Sequence, residues 1–185
     1  MNSLRKHNKF TYRLEWLVIR FRDLLRPPSR VLVAAGVRNG MTVLDFGCGP
    51  GGFSLAVAQL VGAGGWVYAL DIQPLAIKSV RQRAARCGFE NVRPISRPEE
   101  VCSESVDMVL LYDVFHIHPG ADWRTAVMAT IHHVLKPKGI LSIRDHHLRE
   151  VDWAPWVVGS NLFRFRWRSR WSSQYERIEG CKVTL

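Results

Sequence analysis

The sequence predicts an α/β fold in which a doubly wound, mostly parallel sheet is covered by helices on both faces. Two observations carry this expectation. Short apolar runs of strand length alternate with helix-period segments from residue 41 to residue 144. The chain has 185 residues, 47% hydrophobic and 23% charged, which suits one globular domain and excludes a disordered or fibrous chain. A β-α-β-α-β order has one usual solution, a parallel sheet with its crossovers packed on both faces.

Phe10, Leu14, Leu17, Val18, Phe21 and Leu25 share one helical face, so residues 10–25 are expected to form a helix, stopped by Arg26-Pro27-Pro28. Ser29 is placed to cap a short helix through Ala35, with Gly36 at its end. A buried strand over 41–46 follows the Asn39-Gly40 turn. After the glycine loop 47–52, residues 53–60 read as an apolar helix closed by Gly62, Gly64 and Gly65. A second strand spans 66–70 and ends at Asp71. The helix over 74–87 is expected to turn Leu75, Ile77 and Val80 inward, and Gly88 ends it. Strands over 92–96, 106–112 and 140–144 follow, with a helix over 123–135 before the last. His132 and His133 of that helix are expected to be partly exposed. In 163–168, Phe163, Phe165 and Trp167 alternate with Arg164, Arg166 and Arg168. A period of two predicts a strand with one apolar and one cationic face, and 174–179 is its hairpin partner.

The chemistry sits at Val43-Leu44-Asp45-Phe46-Gly47-Cys48-Gly49-Pro50-Gly51-Gly52. A G-x-G-x-G loop lies directly between a strand and a helix, where glycine permits a sharp turn and close approach of a ligand. The helix behind it offers free N–H groups to an anion. Asp71 ends the next strand, twenty residues after Gly51, where a carboxylate accepts hydrogen bonds from ribose hydroxyls. Together these indicate a nucleoside-bearing cofactor in a Rossmann-like sheet. The spacing is not the G-x-G-x-x-G of dinucleotide binders.

This run resembles the first motif of the class I S-adenosylmethionine-dependent methyltransferases. Ala69-Leu70-Asp71-Ile72 resembles their ribose motif, Ser105-Val106-Asp107-Met108-Val109-Leu110 their fourth strand, and Leu135-Lys136-Pro137-Lys138-Gly139-Ile140-Leu141 the turn into their fifth. The small-molecule subgroup related to ubiquinone biosynthesis and the type 11 enzymes is the nearest match. The resemblance implies a seven-stranded sheet with an antiparallel last strand and S-adenosylmethionine as cofactor. It implies that Gly47, Cys48, Gly49 and Gly51 surround the methionine part, Asp45 orients the loop or the amino group, and Asp71 holds the ribose. Ile72 flanks the adenine, and Tyr112 and Asp113 line the mouth. The family often carries an acid after the third strand; here Ser96-Arg97-Pro98 stands there, with Glu99 and Glu100 displaced. Arg97 is counted with the cofactor contacts. Cys48 reads as the small packing residue of the loop rather than a nucleophile.

Candidate bases are the histidines His116, His118, His146 and His147, because loops after the fourth and fifth strands meet at the carboxyl edge of a parallel sheet; Asp113 at the mouth is counted with His116, His146 and His147 as a candidate catalytic residue. The competing reading is solvated loop or pocket-wall histidines. No spacing fixes a metal site. The fourth strand ends without Asn-Pro-Pro-Tyr or Pro-Cys, and the fifth without a lysine, which points to a small-molecule acceptor. Any acceptor pocket is expected from the N-terminal helices, the loops after strands four and five, and the stretch around Trp153 and Trp156.

The formal charge is +10, and it is uneven. Residues 1–30 hold eight Lys/Arg and two acids, residues 31–150 twelve and eleven, residues 151–185 six and three. The basic ends support two lesser readings: RNA tracking along Arg164, Arg166, Arg168 and Arg170, in an RNA methyltransferase or a binding module without turnover, and peripheral membrane contact through the N-terminal helix around Trp16. A charge-guarded edge strand is the reading preferred for the arginines. One domain is expected, with a helical cap over 1–36, a cofactor core over 37–150 and a strand hairpin over 151–185. Charges through the N-terminal apolar stretch argue against a signal peptide. Four cysteines without C-x-x-C spacing fit a reducing, cytoplasmic setting.

Overall fold

The computed structural model describes residues 28–115, 121–145 and 152–181. The helix expected over 10–25, and His116, His118, His146 and His147, lie outside these residues.

Element order follows the sequence pattern: α1 (Pro28–Ala34), β1 (Thr42–Phe46), α2 (Gly52–Val61), β2 (Trp66–Leu70), α3 (Pro74–Cys87), β3 (Val92–Ile95), a 3₁₀ turn (Pro98–Glu100), β4 (Val106–Tyr112), α4 (Ala121–Val134), β5 (Leu135–Arg144), α5 (Ala154–Gly159), β6 (Phe163–Arg168) and β7 (Ser173–Arg177). The seven strands form one sheet in the order β3-β2-β1-β4-β5-β7-β6. The β1–β2, β2–β3, β1–β4 and β4–β5 pairs are parallel, and β7 runs antiparallel to both β5 and β6.

Strand alternation sends Leu44, Leu70, Val109, Leu111, Leu141 and Ile143 to one face, where they pack with Val127, Met128 and Ile131 of α4 and Val157 of α5. Val43, Val67, Met108 and Leu110 go to the other, against Val31 and Leu32 of α1 and Val57, Ala58 and Val61 of α2. Asp107 ties the amino-terminal edge. Its carboxylate accepts from the Thr42 N–H at 2.8 Å and pairs with Lys136 at 2.7 Å.

Four local expectations are corrected. The turn at 136–139 lies inside β5 as a bulge: Val106 faces Leu135 and Met108 faces Ile140. On α3 the buried residues are Ala76, Val80 and Ala84, while Leu75 is exposed and Ile77 half-buried. Small residues at i, i+4 and i+8 let that helix sit close to β2 and the glycine loop. His132 is buried rather than partly exposed. The last turn of α4 packs it edge-on against Phe163, with Nε2 2.9 Å from the Ile178 carbonyl. Lastly, β6 does not carry one apolar face. Phe163 is buried, but Phe165 and Trp167 are 45% and 41% exposed. A bulge between Phe165 and Trp167 breaks the alternation. No helix among the described residues is long and apolar enough to cross a membrane.

Candidate active site

Strand order places β2 on one side of β1 and β4 on the other. Connections therefore leave the carboxyl ends of β1 and β4 in opposite directions, and a crevice opens at that switch point. The loop after β1 occupies it. Gly47, Gly49 and Gly51 have φ of 81°, 51° and 85°, in the left-handed region that glycine enters without steric cost. A Cβ at Gly47 would lie 2.6 Å from a Val114 methyl, and one at Gly51 2.7 Å from a Val80 methyl. At Gly49 it would meet nothing within 4 Å. Two of the glycines are thus seated on the core and the middle one borders open space.

The loop is pinned from three sides. The N–H groups of Gly47 and Cys48 donate to the Leu70 carbonyl at 2.8 and 2.9 Å. Arg83 Nη1 and Ser79 Oγ of α3 donate to the Pro50 carbonyl at 2.5 and 3.2 Å. The Gly49 N–H donates to Asp71 Oδ2 at 2.9 Å, and Asp71 Oδ1 accepts from the Gln73 N–H at 2.8 Å. Each Asp71 oxygen keeps further lone-pair capacity for a ligand. Burial pushes the Asp71 carboxyl above the usual carboxylate range against those two hydrogen bonds.

Asp45 is buried on β1, beneath the loop, and accepts a 2.5 Å hydrogen bond from Ser54 Oγ in the first turn of α2. Burial raises its pKa to about 6; the Ser54 hydroxyl opposes the shift and the Asp71 charge adds to it. The native state therefore holds the Asp45 proton more tightly than the unfolded chain, whose aspartates titrate near 3.8. Its ionisation costs stability above about pH 6, and that cost is relieved as pH falls from about 6 toward 4. The magnitude is on the order of 3 kcal/mol. Asp45→Asn is accordingly expected to stabilise the ligand-free protein at neutral pH, with the advantage over wild type disappearing near pH 4. Thermal melts across that range check it, and a variant less stable than wild type at neutral pH would contradict the sign.

The remaining sequence-predicted residues divide. Cys48 is buried against Ala69 and Val80, and burial pushes its thiol upward, as suits packing rather than nucleophilic chemistry. Ile72 is 60% exposed. It borders an open groove of about 620 Å³ shared with Pro74, Ile77, Lys78, Arg81, Gln82 and Ser96. Tyr112 is buried instead of facing the mouth. Its hydroxyl lies 2.8 Å from Ser142 Oγ, its ring meets Phe53 edge-on at 5.0 Å, and burial lifts its pKa to about 12. Asp113 follows at φ 57°, its N–H bonded to the Arg144 carbonyl at 2.7 Å. A non-glycine residue in that region is held there by its surroundings, a frequent condition at functional sites. Arg97 is exposed, and its N–H and that of Ser96 donate to Glu100 Oε1 at 3.2 Å. Glu100 therefore caps the 3₁₀ turn.

Trp153 does not open a pocket. It is buried and stacks on Phe115 with centroids 4.6 Å apart. Trp123 and Trp156 meet the same ring edge-on, and the Arg124 guanidinium sits 5.7 Å from the Phe115 and Trp153 rings. Sequence reasoning missed Ser54, Ser79 and Arg83, and also the buried Asp145 at the end of β5. Ser79 and Arg83 lie at i and i+4 on α3, a spacing that marks a shared face without naming what the face meets.

The sequence matches the methyltransferase domain family over residues 38–172, a span holding the loop, Asp45, Asp71 and Asp113. The chain belongs to the class I S-adenosylmethionine-dependent methyltransferases. Among curated relatives, this methyltransferase is 32% identical over 126 residues to a demethylmenaquinone methyltransferase of Geobacillus stearothermophilus, covering 66% of this chain and 53% of that one. It is 32% identical over 124 residues to an arsenite methyltransferase of Aquipseudomonas alcaligenes, covering 62% and 35%. The chain thus spans about half or less of the length of these relatives. A solved methyltransferase from Aquifex aeolicus shares the fold, with a TM-score of 0.68 at 24% identity over 84% of this chain and 91% of that one.

The residues present fit S-adenosylmethionine. The space at Gly49 admits a ligand against backbone. Two carboxylates whose ionised forms are disfavoured by burial stand where positive charge and hydroxyl donors would relieve that cost.

Proposed function

We propose that this methyltransferase transfers the methyl group of S-adenosylmethionine to a small-molecule acceptor. The observation that carries the cofactor half is the Gly49–Asp71 hydrogen bond at the switch point, which joins loop and carboxylate into one cradle. In it Gly47, Cys48, Gly49 and Gly51 enclose the methionine part. Asp71 accepts from the ribose hydroxyls, Asp45 supplies negative charge beneath the amino group, and Ile72 and Arg97 flank the adenine side. When bound, the sulfonium supplies an activated methyl group for in-line displacement by an acceptor atom. The protein contributes orientation and exclusion of water.

The small acceptor is supported by the ground beside Asp113. Phe115, two residues on, packs with Trp123, Trp153 and Trp156 in an apolar aromatic cluster. The curated relatives named above are methyltransferases of demethylmenaquinone and arsenite. Asp113 is the proposed acceptor-side carboxylate; His116, His146 and His147 are proposed as bases from the sequence alone.

A cationic ligand favours ionised Asp45, so affinity for S-adenosylmethionine is expected to fall as pH drops below about 6. That trend opposes the gain in ligand-free stability. The acceptor is tested with methyl-labelled cofactor against quinols, phenols, thiols and arsenite, with total RNA alongside. Label transferred to a small molecule is the expected result. Label found only in RNA would contradict the reading.

A further inference from the structure

We propose that Arg164, Arg166, Trp167, Arg170 and Trp171 form a binding track for single-stranded nucleic acid on the far edge of the sheet. The proposal concerns binding and goes beyond the small-molecule reading of the catalytic site.

The β6–β7 register decides which side chains share a face. Arg164 faces Glu176 and Phe165 faces Tyr175; beyond the bulge Trp167 faces Gln174 and Arg168 faces Ser173. Directly opposed residues lie on one face. Gln174 and Glu176, two apart, therefore bring Arg164 and Trp167 to the same side, although the simple alternation of the sequence separates them. Arg166 joins them, since its Nη1 lies 2.9 Å from Glu176 Oε2. Gln174 donates to the Ala35 carbonyl at 2.8 Å, which identifies this as the α1 side of the sheet. Trp171, in the turn after β6, packs with the core of that side, and the Arg170 guanidinium lies 4.4 Å over its ring.

Arg164 and Arg166 both pair with the carboxylate of Glu176. That side chain is 7% exposed while theirs are 65% and 51% exposed. Two guanidiniums are thus held side by side over one buried anion, with a net positive charge and unused N–H donors outward. Fixed guanidinium forks match phosphate oxygens. The exposed Trp167 indole beside them offers a surface on which a base stacks with little regard to sequence, and Trp171 holds Arg170 in place.

Charge selects among occupants. A second copy pairing along the open edge of β6 would set arginine against arginine. A lipid surface requires a contiguous apolar face, but the two exposed aromatics of β6 point to opposite sides: Phe165 lies with Tyr175, its ring meeting that ring at 5.8 Å, and Trp167 lies with the arginines. A strand of phosphates and bases matches the observed mixture. The track also runs toward the carboxyl edge, because β6 is parallel to β5.

The test is fluorescence anisotropy of a labelled, mixed-sequence RNA of about 16 nucleotides with the full chain, between about 50 and about 200 mM salt. Phosphatidylserine–phosphatidylcholine vesicles form the second arm. Removing both arginines alone would strand the Glu176 charge, so the variant is Arg164→Gln/Arg166→Gln/Glu176→Gln. It is expected to weaken RNA binding about tenfold or more and to flatten the salt slope by about 1.4. Trp167→Ala is expected to weaken binding at least fivefold with the slope unchanged. Cofactor binding, followed by calorimetry, is expected to stay as in wild type for both. RNA affinity unchanged in both variants would overturn the proposal. So would vesicle binding without RNA binding.

Discussion

Asp71→Ala is expected to weaken S-adenosylmethionine binding by about a hundredfold or more. Hydrogen bonds to a charged acceptor are worth about 1.5–3 kcal/mol each, and a ribose presents two donors to this carboxylate. The variant also frees the Gly49 N–H, which Asp71 Oδ2 holds at 2.9 Å, so the cradle loses its tie as well as its anchor. Asp71→Asn keeps one carbonyl acceptor and is expected to fall between alanine and wild type. Calorimetric titration separates the three. Alanine within threefold of wild type would show that the ribose is held elsewhere.

Gly51→Ala is expected to destabilise the fold by about 2–5 kcal/mol. The left-handed backbone at φ 85° costs about 1–2 kcal/mol for any residue with a Cβ. Forcing that atom to 2.7 Å from the Val80 methyl adds about 1–3 kcal/mol of overpacking. The two costs separate experimentally. Val80→Ala removes the clash and leaves the backbone strain, so Gly51→Ala/Val80→Ala is expected to lie closer to Val80→Ala than the single glycine change lies to wild type. Gly49→Ala is the control, with the backbone cost alone and a methyl group projecting into the crevice. It is expected to lose cofactor affinity with a smaller loss of stability. Chemical denaturation reads all four. Equal stability of Gly51→Ala and wild type would contradict the packing of the loop on α3.

The pattern of the sequence reached the sheet because its strands are punctuated. Trp66–Leu70 lies between Gly65 and Asp71, and Val106–Tyr112 is a run too apolar to sit elsewhere. Loop and acid were legible for the same reason: Gly47, Gly49, Gly51 and Asp71 follow from local spacing. What stayed hidden depends on contacts distant in sequence. Nothing local tells α3 to bury Ala76 and Ala84 ahead of Leu75 and Ile77; the closeness of β2 and the loop does. Arg83 is an ordinary helix arginine until the fold brings it 33 positions back to the Pro50 carbonyl. Trp153 reads as a pocket wall and is instead stacked on Phe115. Alternation along β6 predicts aromatics on one face, and a single bulge moves Trp167 to the other. Periodicity supplies the repeat of a strand, but a bulge resets its phase, and its position is fixed by the partner strand.

The crevice between β1 and β4 is the proposed seat of S-adenosylmethionine. Calorimetric titration of the full chain with S-adenosylmethionine and S-adenosylhomocysteine near neutral pH tests it most directly. One site is expected for both ligands, in competition with each other. Folded protein that gives no binding heat with either, at several temperatures, would contradict it.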